Sequence, residues 1–113
     1  MRLIRKQLLL KLKHKNKGNT LLCDAVDDLI ITIESNNWGS KEEVLKGRPD
    51  ADQVNNDGFY FFDINIHRTL ILIEIDAEGE ATVVWAGNHQ EYDAVFKNNK
   101  NVIKKWLYKQ GWI

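Results

Sequence analysis

The sequence predicts a small α+β domain in which helices pack on an antiparallel sheet. Apolar residues recur at helical spacing near both ends of the chain, whereas residues 59–64, 69–75 and 81–86 alternate with a period of two. The connections between these three segments are too short for a crossover helix, so neighbouring strands are expected to run antiparallel. We therefore expect a strand, two helices, a three-strand meander and a last helix within one domain spanning residues 1–113.

The N-terminal part of the chain predicts one strand and two helices. The first four or five residues alternate weakly and indicate an edge strand, after which leucines at helical spacing predict a helix that Gly18 stops. From 21 to 33 the apolar residues form one sustained stripe, which predicts a second helix. Asn19 or Thr20 is placed to cap this helix, and it is expected to end near Ser35.

Shorter signals flank the meander. Ser40 and Glu43 have the spacing of a capping box, which predicts a short turn before the strands. Helical spacing returns at 102–107 and ends at Gly111. We interpret residues 97–113 as a C-terminal helical extension.

The formal net charge of zero conceals a strong segregation of charge. Residues 1–23 carry seven basic and no acidic side chains, and residues 94–113 carry five basic and no acidic ones. Residues 24–93 hold the other four basic side chains and all 16 acidic ones, a balance of −12. Such a layout favours a basic surface for a polyanion only if both ends fold onto the same side; solvated lysines on amphipathic helices are the alternative.

Several classes of protein are disfavoured by the sequence. The apolar runs are shorter than the roughly 20 residues that cross a bilayer, and the N-terminus lacks a secretory h-region, so we expect a soluble cytoplasmic protein. Cys23 is the single cysteine, which excludes an internal disulfide and a cysteine zinc site. His14, His67 and His89 do not have metal-ligand spacing, so no metal or other cofactor is expected. The sequence contains neither a glycine-rich phosphate loop nor a nucleophile elbow.

The strongest candidate site lies at the open end of the last predicted hairpin. If residues 78–79 form a two-residue loop, the register places Arg68 opposite His89. A helical turn after this strand would bring Tyr92 and Asp93 onto the same side as His89, at i+3 and i+4. One location is then expected to hold all four side chains.

These groups are the ones that RNA cleavage requires. Histidine can take the 2′-hydroxyl proton or supply one to the leaving oxygen, and a guanidinium can stabilise the charge on the phosphorane without a metal. Tyr92 could stack on a base or donate a hydrogen bond. Each residue also has a structural alternative: His89 could satisfy a local hydrogen bond, Arg68 could pair with Asp93, and Tyr92 could cover the edge of the sheet.

The segment Trp85–Asp93, which reads WAGNHQEYD, resembles a known signature. It is similar to the Gly-Thr-His-x-Glu-Tyr-Asp motif of HigB-type toxins, within the RelE/ParE superfamily of bacterial type II toxin-antitoxin modules. Other matching marks lie upstream: Asn37-Trp38, Arg48 before Asp50-Ala51-Asp52, the Asp57-Gly58 turn, and Arg68 at the start of a strand.

This resemblance implies a RelE-like fold and an endoribonuclease that cuts messenger RNA, in the bacterial cytoplasm and during translation in the ribosomal A site. It also implies a helix-turn-helix antitoxin as partner, in a toxin-antitoxin hetero-oligomer. Because the middle of the chain is acidic, docking of RNA would depend on the basic terminal helices. The implied catalytic residues are His89, Arg68, Tyr92 and Asp93, and Arg48 is implied to bind RNA. We also expect Lys97 and Lys100, in the basic C-terminal segment, to bind RNA.

Three functional hypotheses follow from this interpretation. The leading one is a metal-independent mRNA interferase in which His89 is the general acid or base, Arg68 contacts the scissile phosphate, Tyr92 positions the RNA and Asp93 orients His89. The second is a non-enzymatic ParE-like toxin that binds a protein target such as DNA gyrase. The third is a catalytically silent RNA-binding module.

Overall fold

A computed structural model describes residues 1–55, 58–75 and 79–113. Within these ranges, no helix combines the length and the apolar character that crossing a membrane would require. The described residues form five strands and five helices: β1 Arg2–Ile4, α1 Gln7–Lys15, α2 Thr20–Ser35, α3 Lys41–Gly47, β2 Asp52–Asn55, β3 Phe59–Ile64, β4 His67–Glu74, β5 Glu80–Gly87, α4 His89–Phe96 and α5 Lys100–Lys109.

The sheet is mixed rather than antiparallel throughout. Its strand order is β1-β5-β4-β3-β2, and the meander of β3, β4 and β5 is antiparallel as predicted. The predicted N-terminal edge strand is also present, but β1 runs parallel to β5. The expectation of a purely antiparallel sheet was therefore wrong, because β1 and β5 are far apart in sequence and no short hairpin dictates their direction. The strand β2, which extends the opposite edge, was not predicted.

Helices cover both faces of the sheet. The two predicted N-terminal helices, α1 and α2, pack on one face, as expected. We call the apolar cluster there the N-terminal core; its members include Leu9, Leu22, Val26, Leu29, Ile33, Tyr60, Phe62, Ile71 and Val83. The opposite face carries α4 and α5. We call that cluster the C-terminal core; its buried members are Phe59, Phe61, Leu70, Val84, Tyr92, Phe96, Ile103 and Leu107.

The strand β3 shows how the sequence produces these two layers. Successive side chains of a strand point to opposite faces, so Phe59 and Phe61 enter the C-terminal core while Tyr60 and Phe62 enter the N-terminal core. Both faces are buried, which explains why β3 is apolar at nearly every position. Helices α1 and α5 lie on opposite faces, but the two ends of the chain meet where the Arg5 guanidinium lies over the Trp112 ring, 5.6 Å from its centre.

Local signals placed the helix starts correctly. The side chain of Asn19 accepts a hydrogen bond from the Leu22 N–H and caps α2, as predicted. The side chain of Ser40 likewise accepts from the Glu43 N–H, although the element that follows is the seven-residue helix α3 rather than a turn. Asparagine and serine are strongly preferred at this position because they satisfy an otherwise unpaired N–H.

The predicted register of the β4–β5 hairpin was wrong. Arg68 pairs with Gly87 rather than with His89, and the last recorded pair joins Glu74 to Glu80. The register already differs at the loop end of the hairpin, where Glu74 faces Glu80, and the shift between Leu70 and Ile71 offsets one position of the difference because it adds a residue to β5. The predicted turn at residues 78–79 and the Asp57-Gly58 turn fall partly outside the described residues.

Candidate functional site

The predicted site residues meet in a cleft at one end of the sheet. Here β4 begins, β5 ends and α4 starts. The cleft has a volume of about 270 Å³. Its lining residues are Ile66, Arg68, His89, Tyr92, Asp93 and Asn98.

The turn from β5 into α4 brings three of these residues to the cleft. The side chain of Asn88 accepts a hydrogen bond from the Glu91 N–H, and the Glu91 carboxylate accepts one from the Asn88 N–H. This capping box starts α4 immediately after the strand, with His89 as the first helical residue. Gly87 allows the Trp85 ring to pack closely against this turn, because a Cβ at position 87 would lie 2.5 Å from that ring. The helical turn then places Tyr92 beside His89.

The guanidinium of Arg68 is held from several directions. Its Nε donates to Asp63 Oδ1 at 3.2 Å, and its Nη1 donates to the Tyr92 hydroxyl at 3.2 Å. A second carboxylate oxygen, Asp52 Oδ2, lies 3.7 Å from Nη1. The guanidinium carbon also lies 5.4 Å from the ring centre of Phe61 and 5.1 Å from that of Tyr92. Since the side chain is still 26% exposed, a ligand in the cleft could reach it.

Tyr92 forms a fixed wall of the cleft. Its ring is buried and packs edge-on against Phe61, with 5.2 Å between ring centres. Its hydroxyl accepts from Arg68 and donates to Asn98 Oδ1 at 3.0 Å. Asn98 and Lys97 both adopt left-handed backbone conformations, with φ of 47° and 53°, where the chain leaves α4. The end of α4 therefore returns to the cleft and closes one side of it.

His89 and Asp93 are the accessible polar pair of the cleft. His89 Nε2 lies 3.2 Å from Asp93 Oδ2, one helical turn away, and both side chains are more than half exposed. A carboxylate at this distance restrains the orientation of the imidazole. The exposure of His89 means that proton exchange with a bound ligand needs no rearrangement of the core.

Sequence reasoning missed the residues that hold the site, among them Asn98, Asp63 and, beside the cleft, His67. The His67 side chain is buried, and its Nδ1 accepts the backbone N–H of His89 at 2.8 Å. Burial lowers the pKa of His67 below the ordinary value of 6.5, and proximity to His89 lowers it further. The ring is therefore neutral with its proton on Nε2, and it fixes the backbone at the start of α4. In the sequence, only the position of His67 next to Arg68 indicated a role at the site.

Arg48 is not brought to the cleft. It lies on the other face of the sheet, over the Phe62 ring, where it donates to Asp50 at 2.7 and 2.9 Å and to the Asp63 carbonyl at 2.9 Å. These hydrogen bonds raise the pKa of Arg48. Burial alone would raise the pKa of Asp50, but hydrogen bonds from Arg48 and from the Asp63 N–H outweigh it and lower that pKa. Arg48 thus ties β3 to the segment before β2.

Lys97 and Lys100 lie close in sequence to Asn98, a residue that lines the cleft. Both are exposed, and they lie on either side of the segment that contains Asn98.

The cleft itself has a negative balance of charge. Arg68 and a protonated His89 face the carboxylates of Asp52, Asp63 and Asp93.

Comparison with known proteins identified one family. The family model described as HigB_toxin, RelE-like toxic component of a toxin-antitoxin system, matches residues 23–95 of this chain. No curated protein matches it. The matched range contains all of the cleft residues except Asn98, and it excludes α1 and α5.

Proposed function

Because the chain belongs to the HigB family of RelE-like toxins, we propose that it is an mRNA interferase, a metal-independent endoribonuclease that cuts messenger RNA. One observation carries the proposal: an exposed imidazole, His89, and a held guanidinium, Arg68, line the same open cleft. General acid-base catalysis and charge stabilisation are the two functions that cleavage of a ribose-phosphate linkage needs.

In the proposed reaction, the 2′-oxygen of a ribose attacks the adjacent phosphorus as the bond from phosphorus to the 5′-oxygen breaks. A base takes the 2′-hydroxyl proton, and an acid supplies a proton to the 5′-oxygen. His89 performs one of these transfers, and the Asp93 carboxylate at 3.2 Å orients its ring. The products are a 2′,3′-cyclic phosphate and a free 5′-hydroxyl. The 2′-oxygen has lost one proton to the base, and the 5′-oxygen has gained one from the acid.

Arg68 stabilises the negative charge that builds up on the phosphorane. Its Nε and Nη1 are engaged by Asp63 and Tyr92, whereas Nη2 makes no hydrogen bond to any residue in the described ranges. Nη2 is therefore the donor that we assign to a phosphate oxygen. Tyr92 keeps the guanidinium in place, since its hydroxyl accepts from Arg68 and is itself anchored by Asn98. Lys97 and Lys100 would contact the RNA backbone beyond the cleft.

Family membership implies an antitoxin partner. We propose that this antitoxin is a helix-turn-helix protein and that the two form a hetero-oligomer. We further propose that the toxin acts in the bacterial cytoplasm on mRNA bound in the ribosomal A site. The ribosome would then contribute charged groups around the bound RNA. Such a contribution fits a cleft whose own charge balance is negative.

Substitution of the two central residues tests the proposal. We expect His89→Ala and Arg68→Ala each to lower cleavage by at least about 100-fold and to abolish growth inhibition, because each removes a group that acts on the transition state. His14→Ala and Arg2→Ala are matched controls, since both residues are exposed and lie outside the cleft. Primer extension on mRNA from induced cells measures cleavage, and circular dichroism checks the fold.

Two outcomes would contradict the proposal. Full toxicity of both cleft variants would show that the site is wrong. Growth arrest by the wild type without new 5′ ends in coding regions would instead favour a toxin that binds a protein target.

A further inference from the structure

A second groove lies on the other side of the start of α4. It has a volume of about 200 Å³ and shares no lining residue with the cleft, but α4 and the pairing of β4 with β5 connect the two. Glu91 lies in the first turn of α4 with His89, and Ala86 pairs with Thr69, the neighbour of Arg68. The residues that line the groove are Leu8, Lys11, Leu12, Lys15, Ala86 and Glu91.

Two lysines of α1 supply the positive charge of this groove. Lys11 and Lys15 are four residues apart, so they share one face of the helix, and both are exposed. Their neighbour Lys13 is held by Asp27 at 2.8 Å, and Lys6 contacts Glu34 at 3.1 Å just before the helix. Within the described part of the chain, Lys11 and Lys15 have no such carboxylate partner.

The acidic side chain of the groove is already engaged. The Glu91 carboxylate accepts the Asn88 N–H at 3.0 Å as part of the capping box. This contact holds the carboxylate against the start of α4. Lys11 and Lys15 therefore bring two positive charges to the groove, against the one negative charge of Glu91.

The negative charge balance of the cleft means that binding of RNA requires basic side chains outside it. Three carboxylates surround Arg68 and His89, so the cleft alone repels a polyanion. At physiological salt, charges are screened beyond about 8 Å, so a cation acts mainly on the phosphate that it contacts. Glu91 of the groove lies two residues from His89 in the first turn of α4, so a strand that leaves the cleft across this turn reaches Lys11 and Lys15. The lysine-rich outer groove of α5, around Tyr108, is lined by residues of α5 and by Ile113, and no described residue of α4 or β5 contributes to it.

We propose that Lys11 and Lys15 form a binding site for two phosphates of single-stranded RNA on one side of the scissile linkage. This inference rests on the proposed function, because it assumes that RNA occupies the cleft. The strand would leave the cleft across the first turn of α4 and continue along the exposed face of α1. The site lies outside the matched residues 23–95 and adds a substrate contact to them.

Salt-dependent binding of RNA tests the inference. The probe is a labelled 12-nucleotide single-stranded RNA with 2′-O-methyl riboses, which full-length toxin cannot cleave, measured by fluorescence anisotropy between 50 and 300 mM KCl. The test variant is Lys11→Gln/Lys15→Gln. The control is Lys41→Gln/Lys46→Gln, which removes the same charge from exposed positions of α3.

The expected effect follows from counterion release. Each phosphate contact to single-stranded RNA contributes roughly 0.7 to the slope of log K against log salt, so the test variant should lose about 1.4 from the slope. At 0.15 M salt this corresponds to about a 14-fold weaker affinity, or roughly fourfold per phosphate. The control variant should bind like the wild type, and circular dichroism should show that both variants are folded.

The possible outcomes separate the inference from the proposed function. If the wild type binds the probe and cuts mRNA while the test variant keeps its slope, the lysine site is wrong and the proposed function stands. An equal loss in both double variants also overturns the site, since only bulk charge would then matter. A test variant that binds RNA normally but loses its antitoxin would identify a protein contact instead. If the wild type neither binds nor cuts RNA, both proposals fail.

Discussion

The hydrogen bond from the His89 N–H to His67 Nδ1 should contribute measurably to stability. His67→Leu keeps a side chain of similar size but removes the acceptor, which leaves the N–H at the start of α4 unsatisfied. We expect the free energy of unfolding to fall by about 1 to 3 kcal/mol, the usual cost of an unpaired buried polar group. Access of water to the N–H would bring the loss to the lower end of this range.

A second variant separates the hydrogen bond from the rest of the ring. His67→Asn places Oδ1 at the same number of bonds from Cβ as Nδ1, so it can accept the same N–H. We expect it to recover part of the stability that His67→Leu loses. Asparagine does not titrate, so this variant also isolates the effect of pH.

The pH dependence has a definite sign. Because burial and then His89 lower the pKa of His67, the unfolded chain binds more protons than the folded protein just below pH 6.5. Stability should therefore be complete above pH 6.5 and decline as the pH falls from there toward the lowered pKa. The lowered pKa of Asp50 affects stability in a separate pH range, because the stabilisation that it contributes is lost only below about pH 3.8.

Urea unfolding between pH 7.5 and 5 measures both effects. His14→Leu is the control, because this histidine is exposed on α1. The reasoning is refuted if His67→Leu is as stable as the wild type at pH 7.5. It is also refuted if His67→Asn keeps the full decline of the wild type below pH 6.5.

Two further predictions concern the elements that carry the site. Phe96→Ala should destabilise the protein by about 3 to 5 kcal/mol in urea unfolding, because the ring is fully buried and packs against Phe61, Trp85 and Trp106; a loss under about 1 kcal/mol would contradict this packing. Asn88→Ala should cost about 1 kcal/mol by removal of the cap of α4, and an unchanged midpoint would show that the cap is dispensable.

Most of the elements were predictable because their signals are local. A long apolar stripe predicts α2 without any knowledge of its partners, and Asn19 marks its first residue. The three predicted strands β3, β4 and β5 are likewise present, and neighbouring strands pair antiparallel. The strand β2 was missed because its sequence, DQVN, contains residues that are depleted in strands and is stabilised by pairing with β3.

Features that depend on contacts between distant segments were not predictable. The parallel pairing of β1 with β5 leaves no mark in either strand. The sequence of β5 does not reveal that the strand contains an extra residue. This residue moves the pairing partner of Arg68 by one position, to Gly87. The four predicted catalytic residues do share one cleft, but the capped start of α4 brings them together rather than the register that was assumed. Their catalytic roles remain predictions.

The distribution of charge constrains how this fold could hold RNA. The matched range 23–95 has four basic and 16 acidic side chains, so the segment with the cleft carries −12 while the rest of the chain carries +12. Three of these flanking basic residues lie on α1 and four on α5, and the two helices pack on opposite faces of the sheet. A strand that contacts only Arg68, Lys11 and Lys15 touches about three phosphates, which gives a slope of log K near −2. A strand that also contacted the outer face of α5 would give a steeper slope, so the salt dependence of the wild type measures how far the RNA extends over the protein.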